Sequence, residues 1–127
     1  MNAPADGLRC LIVDDSAAFC TAARGMLERS GFSVVGAVGD IESALAAFHG
    51  SRPDVVLVDI DLGGQSGFDA VTALAAADSA KQTTLILVST HDEDDFSELV
   101  AASPAAGFIS KFALSAAAIG EIVAARR

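Results

Sequence analysis

Leu8-Arg9-Cys10-Leu11-Ile12-Val13-Asp14-Asp15 is the stretch on which the fold turns. It is an apolar run, interrupted only by Arg9, that stops abruptly at two carboxylates. A short run that is hydrophobic almost throughout, rather than at alternate positions, reads as a strand covered on both faces, as in a parallel sheet. Four further runs repeat the pattern: Ser33-Val34-Val35-Gly36-Ala37-Val38, Val55-Val56-Leu57-Val58, Leu85-Ile86-Leu87-Val88 and Gly107-Phe108-Ile109. Between them the apolar residues recur at helical spacing. Phe19, Ala23, Met26 and Leu27 line one face of a helix that Gly31 can terminate, and Ile41, Leu45 and Phe48 another behind Asp40, a suitable N-cap. Phe68, Val71 and Leu74 mark a third helix, Phe96, Leu99 and Val100 a fourth, and Ile119, Ile122 and Val123 a fifth. Strand and helix in strict alternation specify an α/β fold: a doubly wound, five-stranded parallel sheet with helices on both faces.

The 127 residues fit one domain spanning 1–127, with 1–7 expected to be loose. At 52% hydrophobic residues the chain can build a core without disulfides or a structural metal. Cys10 and Cys20 fall in apolar patterns and read as core thiols in a reducing compartment. Eight Lys+Arg against 17 Asp+Glu give a formal charge of −9, which repels phosphate backbones and anionic lipid, so neither nucleic acid nor membrane is expected as a direct partner. No apolar stretch approaches the ~20 residues that cross a bilayer. Met1-Asn2-Ala3-Pro4-Ala5-Asp6 lacks the basic and apolar segments of a secretory signal, so a cytoplasmic location is expected.

In an open α/β sheet ligands bind beyond the carboxyl ends of the strands. The residues there are Asp14-Asp15 after the first run, Asp59 after the third, Ser89-Thr90 after the fourth and Lys111 after the fifth. Each has an ordinary reading: the aspartate pair can cap the following helix, Asp59 can be a turn residue, Ser89 can bond local backbone and Lys111 can be a solvated lysine. Together they point elsewhere. Clustered carboxylates raise one another's pKa unless a cation neutralises them, and few hard oxygen ligands suit Mg²⁺, which keeps waters and accepts a phosphoryl oxygen. Lys111 and Ser89 then bind other phosphoryl oxygens, and Asp59 is the nucleophile of a phosphoryl-transfer site.

Leu11-Ile12-Val13-Asp14-Asp15, Val58-Asp59 with Gly67 downstream, Val88-Ser89-Thr90 and Gly107-Phe108-Ile109-Ser110-Lys111 resemble, in residues and in spacing, the receiver domains of two-component response regulators. The resemblance runs from about Leu8 to Ala125 and implies a flavodoxin-like sheet of order 2-1-3-4-5. It implies Asp59 as acceptor of a phosphoryl group from the phosphohistidine of a histidine kinase or phosphotransfer protein. Asp15 then resembles the direct carboxylate ligand of Mg²⁺ and Asp14 one acting largely through water, with the Asp61 backbone carbonyl completing the protein's share. Ser89 and Lys111 would bind phosphoryl oxygens, and Phe108 stands at the aromatic switch position. The implied output is a changed interaction face offered to a downstream protein or output domain, or a phosphorylation-dependent dimer. Such a domain catalyses only its own phosphorylation and dephosphorylation.

Gly63 stands where the family often has proline, which predicts a more mobile loop. Phe112 follows Lys111 where many members have proline, which predicts a trans bond there. His91, two residues past Ser89, and Asp61 are expected to flank the approach of water to the site. Two other functions compete. Asp59-Ile60-Asp61 also resembles the Asp-x-Asp of haloacid-dehalogenase-type phosphatases, although that motif normally follows the first strand of a longer fold. A phosphorylation-independent interaction module of the same fold is opposed by the complete set Asp14, Asp15, Asp59, Ser89 and Lys111.

Overall fold

The computed structural model describes residues 7–126; of the N-terminal stretch expected to be loose, residues 1–6 lie outside them. The strands are β1 (Arg9–Val13), β2 (Ser33–Val38), β3 (Val55–Asp59), β4 (Thr84–Ser89) and β5 (Gly107–Ser110). The helices are α1 (Ala17–Arg29), α2 (Ile41–Ser51), α3 (Gly67–Ala77), α4 (Ser97–Ala102) and α5 (Ala116–Arg126), with 3-10 turns at Glu93–Asp95 and Lys111–Ala113. All strand pairs are parallel and the order is β2-β1-β3-β4-β5, as expected.

The unbroken hydrophobicity of the central strands follows from their two-sided burial. Leu11 and Val13, Val56 and Val58, and Leu85 and Leu87 face α2, α3 and α4, where they meet Ala44, Phe48, Val71, Leu74 and Val100. Their neighbours Cys10 and Ile12, Val55 and Leu57, and Ile86 and Val88 face α1 and α5 and meet Ala23, Leu27, Ile119 and Val123. Successive side chains point to opposite faces, so a strand between two helical layers must be apolar at every position. β2 and β5 differ: as edge strands they are largely half-buried.

Helix ends follow local chemistry. The Asp40 carboxylate accepts from the Ser43 amide at 2.7 Å, which caps α2 as expected and holds the Asp40 pKa below its usual value. α1 ends where the Gly31 and Phe32 amides donate to the carbonyls of Glu28 and Leu27. α1 is capped by Ser16, whose hydroxyl accepts from the Phe19 amide at 3.2 Å, so the ordinary reading of Asp14 and Asp15 as its caps does not hold. The fourth helix is shorter than its sequence pattern. The acidic residues 92–95 are taken up largely by a 3-10 turn, α4 starts only at Ser97, and Leu99, expected on its buried face, is 55% exposed. Cys10 is buried as expected, its thiol pushed up to about 12 by burial, whereas Cys20 is only half-buried.

Candidate functional site

Because the strands are parallel, Asp14, Asp59, Ser89 and Lys111 follow their ends onto one edge of the sheet. Asp14 is 3% exposed: one carboxylate oxygen accepts from the Ser16 amide at 2.8 Å, and the other lies 2.7 Å from Lys111 Nζ. That second oxygen has an ion pair but no aligned hydrogen bond, so it keeps lone pairs free for a further cation. Asp59 Oδ1 accepts from the Asp61 amide at 3.3 Å, and its Oδ2 is 3.3 Å from the same ammonium. Asp59 is 7% exposed, so the acceptor position is largely enclosed. Asp15 is exposed and forms the rim.

One carboxylate oxygen from each of Asp14, Asp15 and Asp59 lies within 4.8 Å of the other two. Of three oxygens on an Mg²⁺ octahedron at most one pair is trans, about 4.2 Å apart, and the others are about 3 Å apart, so the three carboxylates surround a space that would close around that ion. The donor set also fits: hard oxygens, one of them lacking an aligned hydrogen bond, with an open rim for water. Asp61 does not join this cluster through its side chain, which is exposed and turns back to accept from the Gly63 amide at 3.1 Å.

The electrostatics are those of crowded like charges. Burial, then the neighbouring Asp14 charge, push the Asp59 pKa up, against the opposing pull of Lys111 and the Asp61 amide. For Lys111, burial acts to lower the pKa, but the close ion pair with Asp14 and the charge of Asp59 win and hold it above its usual value. Its side chain is 12% exposed, so it is not a solvated surface lysine.

Two glycines make the geometry possible. Gly67 opens α3 directly against the acceptor strand, its amide bonding the Ile60 carbonyl at 2.7 Å; a Cβ there would fall 2.1 Å from the Asp59 carbonyl oxygen. Gly63 has φ of +76°, a left-handed conformation closed to proline, and a Cβ there would meet Asp15 Oδ2 at 3.1 Å. Gly63 therefore has a positive conformational reason to replace proline.

Ser89 is 3% exposed; its hydroxyl accepts from the His91 amide at 3.0 Å, as the ordinary reading allowed, and keeps a proton to donate. It lines an open cavity with Asp61, Gln65, Ser66, His91 and Phe96. His91 is exposed, its ring edge-on to Phe96 at 6.0 Å. Phe108 is half-buried, packing against the α2–α3–α4 layer and bordering a groove with Ala118 and Ile122. There is no cis peptide among the described residues, and Phe112 stands 86% exposed beyond the trans bond that follows Lys111.

The sequence reading missed Phe19, whose ring centroid lies 4.2 Å from Lys111 Nζ. Its helical spacing marked it only as a core residue. Gln65 was also missed: its side chain accepts from the Ile41 amide at 2.8 Å and ties the loop after β3 to α2.

A parallel 2-1-3-4-5 sheet with an aspartate cluster and a lysine at its carboxyl edge defines a class, and comparison with known proteins agrees. Residues 10–123 match the response regulator receiver domain family. The chain belongs to that family, which is one of two-component signalling domains rather than general catalysts. The response regulator GacA of Pseudomonas viridiflava is 31% identical over 121 residues, covering 94% of this chain and 54% of that protein. A putative transcriptional regulator of Pseudomonas aeruginosa is 34% identical over 104 residues, covering 81% of this chain and 49% of that protein. The chain thus spans about half the length of these relatives. Among solved structures, a LuxR-family two-component response regulator from Aurantimonas sp. SI85-9A1 superposes with a TM-score of 0.83 at 27% identity, covering 96% of this chain and 89% of that one. No helix among the described residues is long and apolar enough to cross a membrane.

Proposed function

We propose that the whole 1–127 segment acts as one receiver unit that accepts a phosphoryl group on Asp59 from the phosphohistidine of a histidine kinase or phosphotransfer protein. The observation that carries this reading is the ammonium of Lys111 lying 3.3 Å from Asp59 and 2.7 Å from Asp14, both carboxylates being almost fully enclosed. A carboxylate oxygen of Asp59 attacks phosphorus, the P–N bond breaks, and the released imidazole nitrogen takes its proton from solvent. Lys111 pairs with one phosphoryl oxygen and the Ser89 hydroxyl donates to another. Mg²⁺, held by Asp14, Asp15 and Asp59 with the Asp61 carbonyl, would supply the remaining neutralisation of the transferring group. Asp61 and His91 border the approach of water and so affect how long the acyl phosphate lasts.

Output follows from Ser89. Drawn toward the phosphoryl group, it leaves room beside β4 into which Phe108 turns, altering the face made by α4, β5 and α5 for a downstream protein, an output domain or a second copy. Phenylalanine has no hydroxyl to hold it outward, so burial sets its preference. The reading includes a cytoplasmic setting, compatible with the two unpaired cysteines. The phosphatase alternative lacks a positioned general acid, since Asp61 is engaged with its own loop.

The test is intact mass after incubation with phosphoramidate and Mg²⁺. The wild type should gain one phosphate-sized increment, and Asp59→Asn should gain none. Continued labelling of Asp59→Asn would refute the acceptor assignment, and an unlabelled wild type would favour the phosphorylation-independent module.

A further inference from the structure

Lys111 has to reach from the turn after β5 to the carboxylates of β1 and β3, across the intervening β4. A lysine side chain has four rotatable bonds, so its ammonium stays at one point only if groups around it hold it there. Three do so: Asp14 at 2.7 Å, Asp59 at 3.3 Å and the ring of Phe19, whose centroid is 4.2 Å from Nζ. The ring itself is well anchored. Ser16 caps the helix through the Phe19 amide at 3.2 Å, and the side chain packs against the apolar layer under α1 and α5.

The three holds differ in what phosphorylation does to them. On the reading above, the Asp59 oxygen becomes part of an acyl phosphate, and Asp14 turns its charge toward a metal ion. Both carboxylates are then partly withdrawn from Lys111 as the phosphoryl group arrives. The ring quadrupole of Phe19 is untouched by either event, and its attraction for a cation is stronger where water is largely excluded. We propose that Phe19 is a positioning residue, whose ring keeps the Lys111 ammonium over the site while its carboxylate partners are engaged elsewhere. This role rests on Asp59 being the phosphoacceptor. Phe19 touches no reacting atom; it acts through Lys111.

The test separates ring electrostatics from apolar bulk. Phe19→Leu keeps most of the buried volume and loses the quadrupole, whereas Phe19→Trp keeps a stronger one. The readouts are the rate of phosphate uptake from phosphoramidate at saturating Mg²⁺, followed by intact mass, and the NMR shifts of the Lys111 ε-methylene protons in metal-free protein. Phe19→Leu should label roughly three- to tenfold more slowly and Phe19→Trp should recover most of the loss, the range expected for a partly desolvated cation–ring contact. The ε-methylene protons should be moved upfield by the ring in the wild type and Phe19→Trp, and return to an ordinary lysine position in Phe19→Leu. Labelling of Phe19→Leu at the wild-type rate overturns the positioning role alone. Ordinary Lys111 shifts in the wild type do so without any variant having to fold. A wild type that takes up no phosphate overturns the phosphoacceptor reading, and this role with it.

Discussion

Asp59 sits where ionisation is unfavourable, since it is 7% exposed and burial and the Asp14 charge together raise its pKa. A carboxyl with a higher pKa folded than unfolded holds its proton more tightly in the folded state. It therefore stabilises the fold below the unfolded value, and that contribution is lost as pH rises through the folded value. Lys111 also has a raised pKa, so its contribution persists at neutral pH and is lost only in the alkaline range, above the ordinary lysine value. Without metal, the ionised form of Asp59 therefore works against the fold, beside the Asp14 charge. Asp59→Asn should melt higher than the wild type in EDTA at pH 7, by roughly 4 °C for each kcal/mol of relieved repulsion. The gap should close toward acid pH, as the wild-type carboxyl takes up its proton. Melting at or below the wild type at pH 7 would show that the Lys111 pair outweighs the crowding. These residues were readable in the sequence because an apolar run that stops at a carboxylate marks the end of a strand. Their burial was not, since nothing local distinguishes enclosed Asp14 from exposed Asp15. Nor does helical spacing tell a ring that faces Lys111, as Phe19 does, from one that only fills the core.

Among the elements, the sheet was the most readable, because both of its faces impose the same composition and only the order 2-1-3-4-5 had to come from the resemblance. α4 was the least readable. Phe96, Leu99 and Val100 have helical spacing, but they follow Asp92, Asp94 and Asp95, whose short carboxylates favour a tight turn over a helix start. What remains is a helix of 6 residues with Val100 as its buried anchor and Leu99 exposed. So small an apolar hold makes it the element most easily displaced. Ser89, by way of the His91 amide, connects the site to the segment leading there, and Phe108 lies on the adjoining strand. Phosphorylation should therefore change NMR shifts across residues 90–112, α4 and β5 included. Changes confined to the neighbours of Asp59 would remove the switch and leave phosphoacceptance intact.

At the scale of the whole molecule, several helices carry charges that match their dipoles. Glu42, Asp69 and Glu98 occupy first turns of helices, while Arg29 and Arg126 occupy last turns, each sign complementing the helix dipole. The carboxyl edge of the sheet consequently joins the helix-start acids to Asp14, Asp15 and Asp59, in a chain whose formal charge is −9. Two effects of Mg²⁺ must then be separated, since screening acts on every exposed acid and coordination only on the cluster. An ion bound to the folded state alone stabilises it by mass action, about 1.4 kcal/mol at ten times its dissociation constant, or on the order of 5 °C in Tm for this size of domain. NaCl at matched ionic strength should give clearly less. Asp15→Ala should lose most of the Mg²⁺-specific part, because the rim carboxylate is the one least committed to protein partners. Equal shifts from the two salts, or a full Mg²⁺ shift retained in Asp15→Ala, would mean that the ion acts on the diffuse negative surface and not at the three carboxylates.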